Sequence, residues 1–256
     1  MIIIPDIHGR TFWKDAVSQT GENEKVIFLG DYLEPYTNIE GITSTESYNN
    51  FIEILDYKKK HMDSCVLLLG NHDFACISKD MITCRHDYQN ETRNKRIFTN
   101  NYKLFQIGYS EVINNKKYIL THAGIHREWL ELLISHNNAK VDINKIDIVN
   151  YINNMFETDR KTLQTYLALM SRYRGGRWAT ARFGSCIWAD LNEWIDKANY
   201  GNPIEFEGTY QIFGHTLNLY DIPTITENFA CLDVRNAWKL YDSGKLEKIT
   251  NYIYLG

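Results

Sequence analysis

The chain has 256 residues, a formal charge of −4, and 44% hydrophobic against 23% charged residues, a composition that excludes a disordered or fibrous protein. Only 4 Pro and 15 Gly leave little material for long linkers, and the slight acidity gives no global attraction to nucleic acid or an anionic membrane. No stretch approaches the roughly 18 apolar residues of a spanning helix, so no membrane partner is expected.

Residues 1–5 form an apolar run that ends in Asp6 and His8, and they predict a strand buried on both faces. The opening Met-Ile-Ile-Ile-Pro-Asp lacks the basic flank of a signal peptide. A helix is predicted near 12–19, then a strand over 25–29 that ends in Gly30-Asp31. A longer helix follows near 45–62, where Thr43 and Glu46 have the spacing of a capping box. Residues 65–69 repeat the buried-strand pattern and run into Gly70-Asn71-His72-Asp73. This alternation predicts βαβ units and a mainly parallel sheet, with ligands at the carboxyl ends of its strands.

Strand-like residues on either side of Asn114-Asn115-Lys116 predict a hairpin. Residues 118–121 then lead into His122-Ala123-Gly124. From about 125 to 173 the pattern is helical, clearest over 159–171. Residues 210–213 lead into Gly214-His215-Thr216, and short strands are predicted over 222–226, 229–234, 237–241 and 246–255. Five cysteines, an odd number with no C-x-x-C pair, argue against a disulfide or zinc framework and make a reducing cytoplasm the expected location.

Each polar strand end is weak evidence alone, because Asp-x-His or Gly-His pairs arise by chance. Together, Asp6, His8, Asp31, Asn71, His122 and His215 supply two carboxylates, three imidazoles and an amide. If the strands adjoin, the carboxylates repel one another unless a cation lies between them. Mixed imidazole and carboxylate donors suit Mn, Fe or Zn better than Ca.

The ordered blocks Asp-x-His-Gly (6–9), Gly-Asp-Tyr-x-Glu (30–34), Gly-Asn-His-Asp (70–73), His-Ala-Gly (122–124) and Gly-His-Thr (214–216) resemble the calcineurin-like metallophosphoesterases. The likeness is greatest to the serine/threonine phosphoprotein phosphatase branch and its bacterial and phage relatives. Trp188-Ala189-Asp190 and Leu232-Asp233 add smaller echoes of that branch. The resemblance implies an α/β fold, a four-layer α/β/β/α sandwich formed by a single domain over 1–256, with about 125–185 as a helical insertion or cap. It also implies two divalent transition-metal ions, manganese before iron or zinc. Asp6 and His8 would bind the first ion, Asp31 would bridge both, and Asn71, His122 and His215 would complete the second site. A bridging hydroxide would attack phosphorus, His72 would protonate the leaving alkoxide, and Glu34 would orient His72. The substrate implied is a phosphomonoester, whether phosphoprotein, nucleotide or small molecule.

The sequence also departs from that family. Glu34-Pro35 stands where the family has Asp-Arg, so one phosphate-binding arginine is missing, and Leu217 replaces the second histidine of Gly-His-x-His. Arg172, Arg174, Arg177 and Arg182 surround Gly175-Gly176, and Arg174 or Arg177 is the expected replacement clamp; the plain alternative is a solvated helix end. Tyr173 and Trp178 are read as core aromatics before base-stacking ones. His61, His86, His126 and His136 fall outside the blocks and are read mostly as surface residues, with His126 the one closest to a motif. The alternative activities are dinucleoside polyphosphate or phosphodiester hydrolysis. From another class, an inactive scaffold of the same fold would bind a protein partner, although such a scaffold has no physical need for the full set of ligands.

Overall fold

The computed structural model describes residues 1–78, 84–136, 142–171, 181–201, 206–217 and 222–252. Two sheets carry the fold. The first contains β1 (Ile2–Ile4), β2 (Val26–Phe28), β3 (Cys65–Leu68) and β4 (Phe105–Gln106), which run parallel to one another. The second contains β5 (Gly108–Ile113), β6 (Lys116–Thr121), β7 (Thr209–Phe213), β8 (Thr224–Ile225) and β9 (Phe229–Cys231), in the order β5-β6-β7-β9-β8. The last strands, β10 (Trp238–Leu240) and β11 (Leu246–Lys248), return to the open side of β1, so that the first sheet runs β11-β10-β1-β2-β3-β4.

A mainly parallel sheet describes only the first four strands. The second sheet is mixed: β5 and β6 are antiparallel, whereas β6, β7 and β9 run parallel. The reason is local, since Asn114 and Asn115 both adopt positive φ (49° and 61°), the left-handed pair that closes a tight hairpin and forces antiparallel pairing.

Side chains alternate across β1–β3 and build the layers. Ile2, Ile4, Val26, Phe28, Cys65 and Leu67 face an apolar cluster that includes Phe12, Trp13 and Phe51 of helices Phe12–Val17 and Ser44–Lys60. Their neighbours Ile3, Ile27 and Leu68 face inward instead, against Leu120, Ile212 and Ala230 of the second sheet. Both faces of the first sheet are therefore apolar, which explains its unbroken hydrophobic runs. On the outer side of the second sheet, Phe213, Phe229 and Cys231 pack with Leu191 and Trp194 of helix Leu191–Ile195. The result is two stacked sheets flanked by helices.

Local signals hold where they are complete. Thr43 caps helix Ser44–Lys60 as a reciprocal box, with Glu46 N donating to Thr43 Oγ1 at 3.2 Å and Thr43 N to Glu46 Oε2 at 2.8 Å. The amphipathic segment 159–171 forms helix Arg160–Leu167, capped by Asp159. Together with helix Ile148–Thr158 it contributes Ile152, Phe156, Leu163 and Leu167 to the large apolar cluster. Among the described residues, no helix is long and apolar enough to cross a membrane, and all five cysteines are free.

Candidate metal centre

The five parallel strands that the sequence motifs follow all deliver their polar ends to one edge. Asp6 and His8 follow β1, Asp31 follows β2, and Asn71 and His72 open helix Asn71–Ile77 after β3. His122 follows β6 and His215 follows β7. Backbone hydrogen bonds bind the loops together: His8 N donates to Asp31 O at 2.7 Å and Gly214 N to His122 O at 2.8 Å. Three of these residues sit in the left-handed region, His8 at φ 43°, Asp31 at 53° and His215 at 68°. A non-glycine residue held there costs on the order of 1 kcal/mol or more and persists only where its surroundings enforce it, a pattern that concentrates at functional sites.

Glycines let the carboxylates reach the backbone. A Cβ on Gly70 would stand 2.1 Å from Asp31 Oδ1, and one on Gly214 would stand 2.2 Å from Asp6 Oδ1. In that space His72 N donates to Asp31 Oδ1 at 3.0 Å and His215 N donates to Asp6 Oδ1 at 2.9 Å.

Asp31 stands at the centre. Its Oδ2 lies 3.5 Å from His8 Nε2 and 3.5 Å from His122 Nε2. It belongs to two clusters whose donor atoms all fall within 4.8 Å, one with His8 and His72 and one with His122 and His215. Asn71 Oδ1 and His215 Nδ1 are 3.0 and 3.1 Å from His122 Nε2.

These donor atoms fit cations. His8 Nδ1 lies 3.0 Å from Leu33 O and His122 Nδ1 lies 3.0 Å from Leu29 O. A carbonyl oxygen can only accept, so each Nδ1 carries the proton and each Nε2 turns a bare lone pair toward Asp31. Lone pairs of carboxylate, amide oxygen and imidazole then converge in a buried space, an arrangement that is repulsive unless a positive charge lies among them. The proton affinities agree. Burial, then the Asp6, Asp73 and Asp233 carboxylates, holds Asp31 well above the ordinary carboxylate range. Burial, with His72, Arg10 and Arg85 nearby, holds His8 well below the ordinary imidazole value.

His72 lines a cavity of about 330 Å³ with His8, Asp31, Asn71 and His215. Burial first, and Arg85 next, push its ring down to about 3, and its Nδ1 has no hydrogen-bond partner among the described residues. Glu34 is not hydrogen-bonded to it among the described residues. Its Oε1 instead lies 3.8 Å from His86 Nδ1, and burial pushes the Glu34 carboxyl up to about 7. His86 and His126 are not surface residues: the side chain of each is almost fully enclosed, and His126 stacks between Phe183 and Trp194 with ring centroids 4.3 and 4.1 Å away. Arg174 and Arg177, with Arg172, Tyr173 and Trp178, lie outside the described residues.

Two supports of the site were not read from the sequence. Asp73 Oδ2 accepts from Asp31 N at 2.7 Å and Gly70 N at 2.9 Å, while Oδ1 accepts from Tyr32 N at 3.0 Å. Its position three residues after Gly70, at the start of a helix, was a signal available for this. Arg10 forms a fork with Glu40 at 2.7 and 2.8 Å, Arg235 joins the same carboxylate at 3.1 Å, and Arg10 Nη1 donates to Asp6 O at 3.2 Å. That buried network anchors the loop that carries Asp6 and His8.

The family model for calcineurin-like phosphoesterases matches residues 1–219. Comparison with curated proteins gives no match. Among solved structures, the chain is similar to a cold-active protein-tyrosine phosphatase of a psychrophile, Shewanella sp., with TM-score 0.52 and 13% identity over 96% of this chain and 79% of that one. A mutant of a cold-active protein tyrosine phosphatase gives TM-score 0.51 and 13% identity, over 96% and 79% of the two chains. A protein serine/threonine phosphatase from Saccharomyces cerevisiae, with similarity to human phosphatase PP5, gives TM-score 0.49 and 13% identity, over 98% and 80%. At such identities the two solved structures with TM-scores above 0.5 speak for the fold alone, two sheets flanked by helices. The family match runs through every strand-end block from Asp6 to His215, and the chain belongs to the calcineurin-like phosphoesterase family.

Proposed function

We propose that the protein is a phosphomonoesterase that works with two divalent transition-metal cations, manganese first, with iron and zinc suited to the same donors. The observation that carries this reading is that Asp31 is common to both donor clusters. Asp6, His8 and Asp31 hold one cation; Asp31, Asn71, His122 and His215 hold the other. Bound there, the cations would supply Lewis acidity toward phosphate and lower the pKa of a bound water.

The protein's own groups do the rest. The backbone amides of His72 and His215 keep the Asp31 and Asp6 carboxylates in place, and the carbonyls of Leu33 and Leu29 keep the His8 and His122 Nε2 lone pairs turned inward. His72 donates a proton to the departing oxygen. Its support is a ring that lines the cavity and whose Nδ1 has no hydrogen-bond partner among the described residues. A phosphate dianion beside it raises its affinity for that proton, against the lowering by burial and Arg85. Glu34 acts on the outer side of the pocket, toward His86. The five free cysteines suit a reducing compartment.

The test is chelation and re-addition on the purified chain. Monoester hydrolysis is expected to vanish in EDTA and to return best with Mn²⁺, and Asp31→Asn should lose both metal content and turnover. Full activity in EDTA, or Asp31→Asn with normal metal and turnover, overturns the reading; a chain that takes up no metal points to the binding scaffold.

A further inference from the structure

The pocket holds a cation that none of the motifs supplies. Arg85, on the segment that follows the helix bearing His72, lines the same cavity as His8, Asp31, Asn71, His72 and His215. Among the described residues it is the one lysine or arginine in that lining. The guanidinium lies over the Tyr36 ring, 3.7 Å from its centroid. Nη2 donates to Glu34 O and lies 3.4 Å from His8 Nδ1.

Arg10 and Arg235 pair with Glu40, Arg127 with Glu131 and Arg182 with Glu128, while Arg93 and Arg160 lie, like Arg85, over tyrosine rings but outside the lining of this cavity. No carboxylate pairs with Arg85 within the described residues. A guanidinium held by a ring face and one carbonyl keeps N–H groups for an anion, and its planar fork matches two phosphoryl oxygens. Its anchors are the two residues beside the family departure, because Glu34 and Tyr36 flank Pro35, which stands where the missing arginine was expected.

We propose that Arg85 binds the phosphoryl group of the substrate and gives the site its preference for dianionic monoesters over diesters. The inference deepens the proposed function and rests on that reading of the same cavity. A monoester dianion has three non-bridging phosphoryl oxygens that share its charge, one more than a diester, so an oxygen would remain for the guanidinium beside any that bound cations would take. In a diester that oxygen is esterified and gives the guanidinium little to hold. Tyr36 is a positioning residue here, because its ring face sets where the guanidinium lies.

The experiment compares wild type, Arg85→Ala, Arg85→Gln and Tyr36→Leu, all full-length and manganese-loaded. Readouts are inorganic phosphate affinity by calorimetry, kcat and KM on p-nitrophenyl phosphate and bis(p-nitrophenyl) phosphate, and metal content. Loss of one charge-assisted clamp should weaken phosphate binding by about tenfold or more in both Arg85 variants. Monoester kcat/KM should fall by a similar factor and diester kcat/KM by about threefold at most, with metal content unchanged. Tyr36→Leu should raise monoester KM more than it lowers kcat. Phosphate affinity and ester preference unchanged in both Arg85 variants overturn the proposal while leaving the phosphoesterase reading intact, as does a wild type that binds no phosphate. A wild type that binds phosphate through Arg85 but hydrolyses neither ester keeps Arg85 as a phosphoryl-binding residue, overturns its part in ester preference and removes the phosphomonoesterase reading.

Discussion

Asp73 holds Asp31 by its backbone: Asp73 Oδ2 accepts the Asp31 amide proton across 2.7 Å, from a residue that never faces the cavity. The same carboxylate also gathers Tyr32 N and Gly70 N, so one side chain fixes the left-handed turn that presents the central donor of the site.

Asp73→Ala should therefore act on stability and on metal together. Three buried amides lose their acceptor, at a cost of about 3 kcal/mol or more if each is left unsatisfied. Metal affinity should fall by about 10- to 100-fold, as for other supports one step behind a ligand. Denaturant midpoints and metal titration check both. A variant with lowered stability but normal metal affinity shows Asp73 to be a helix cap and nothing more.

Gly214→Ala addresses the opposite side of the site. Its Cβ would meet Asp6 Oδ1 at 2.2 Å, so the carboxylate must swing away from the His215 amide. The fold should survive, since the clash is with one side chain, while manganese affinity drops by about tenfold or more. Thermal melting with and without Mn²⁺ reads this directly. The shift on adding metal should shrink in the variant, and an unchanged shift refutes the steric account.

His72→Asn separates proton donation from metal binding. Alkyl phosphates, whose leaving groups are poor, should lose about 10²- to 10⁴-fold in kcat with metal content retained. An activated aryl phosphate leaves with little protonation and should lose far less. Equal losses on both substrates would assign His72 to phosphate positioning.

The pH dependence of stability should expose His126. Burial pushes its ring down to about 3, and the nearest carboxylate, Glu193 at 3.5 Å, is already engaged by Gly184 N and Asp190 N. The unfolded ring titrates near 6.5, so between about 6.5 and 3 the unfolded chain binds the extra proton. Stability then falls as pH drops through that window, by up to about 1.4 kcal/mol per pH unit from this group. His126→Phe keeps the stacking on Phe183 and Trp194 and should flatten the acid slope of the denaturation midpoint. Parallel slopes in the two proteins refute it.

How much of this was legible beforehand differs residue by residue. The strand ends were, because an apolar run and the polar residue that terminates it lie within a few positions of one another. Asp6, His8, Asp31, Asn71, His122 and His215 could thus be named together, and the structure gathers them at one edge. The Thr43–Glu46 box and the Asn114-Asn115 turn were legible for the same reason, since both are complete within four residues. What lay beyond local reading were the partners chosen across the fold. Glu34 faces His86 and not His72, and Arg85 enters a cavity built by residues from 8 to 215. His86 and His126 have buried side chains because distant segments close over them. Backbone periodicity and end signals are properties of a few consecutive residues, so the sequence by itself determined the strands and the donor types they carry. Only the tertiary structure decided which acid meets which base, because that depends on sheet pairing between segments far apart in the chain, and no local pattern encodes it.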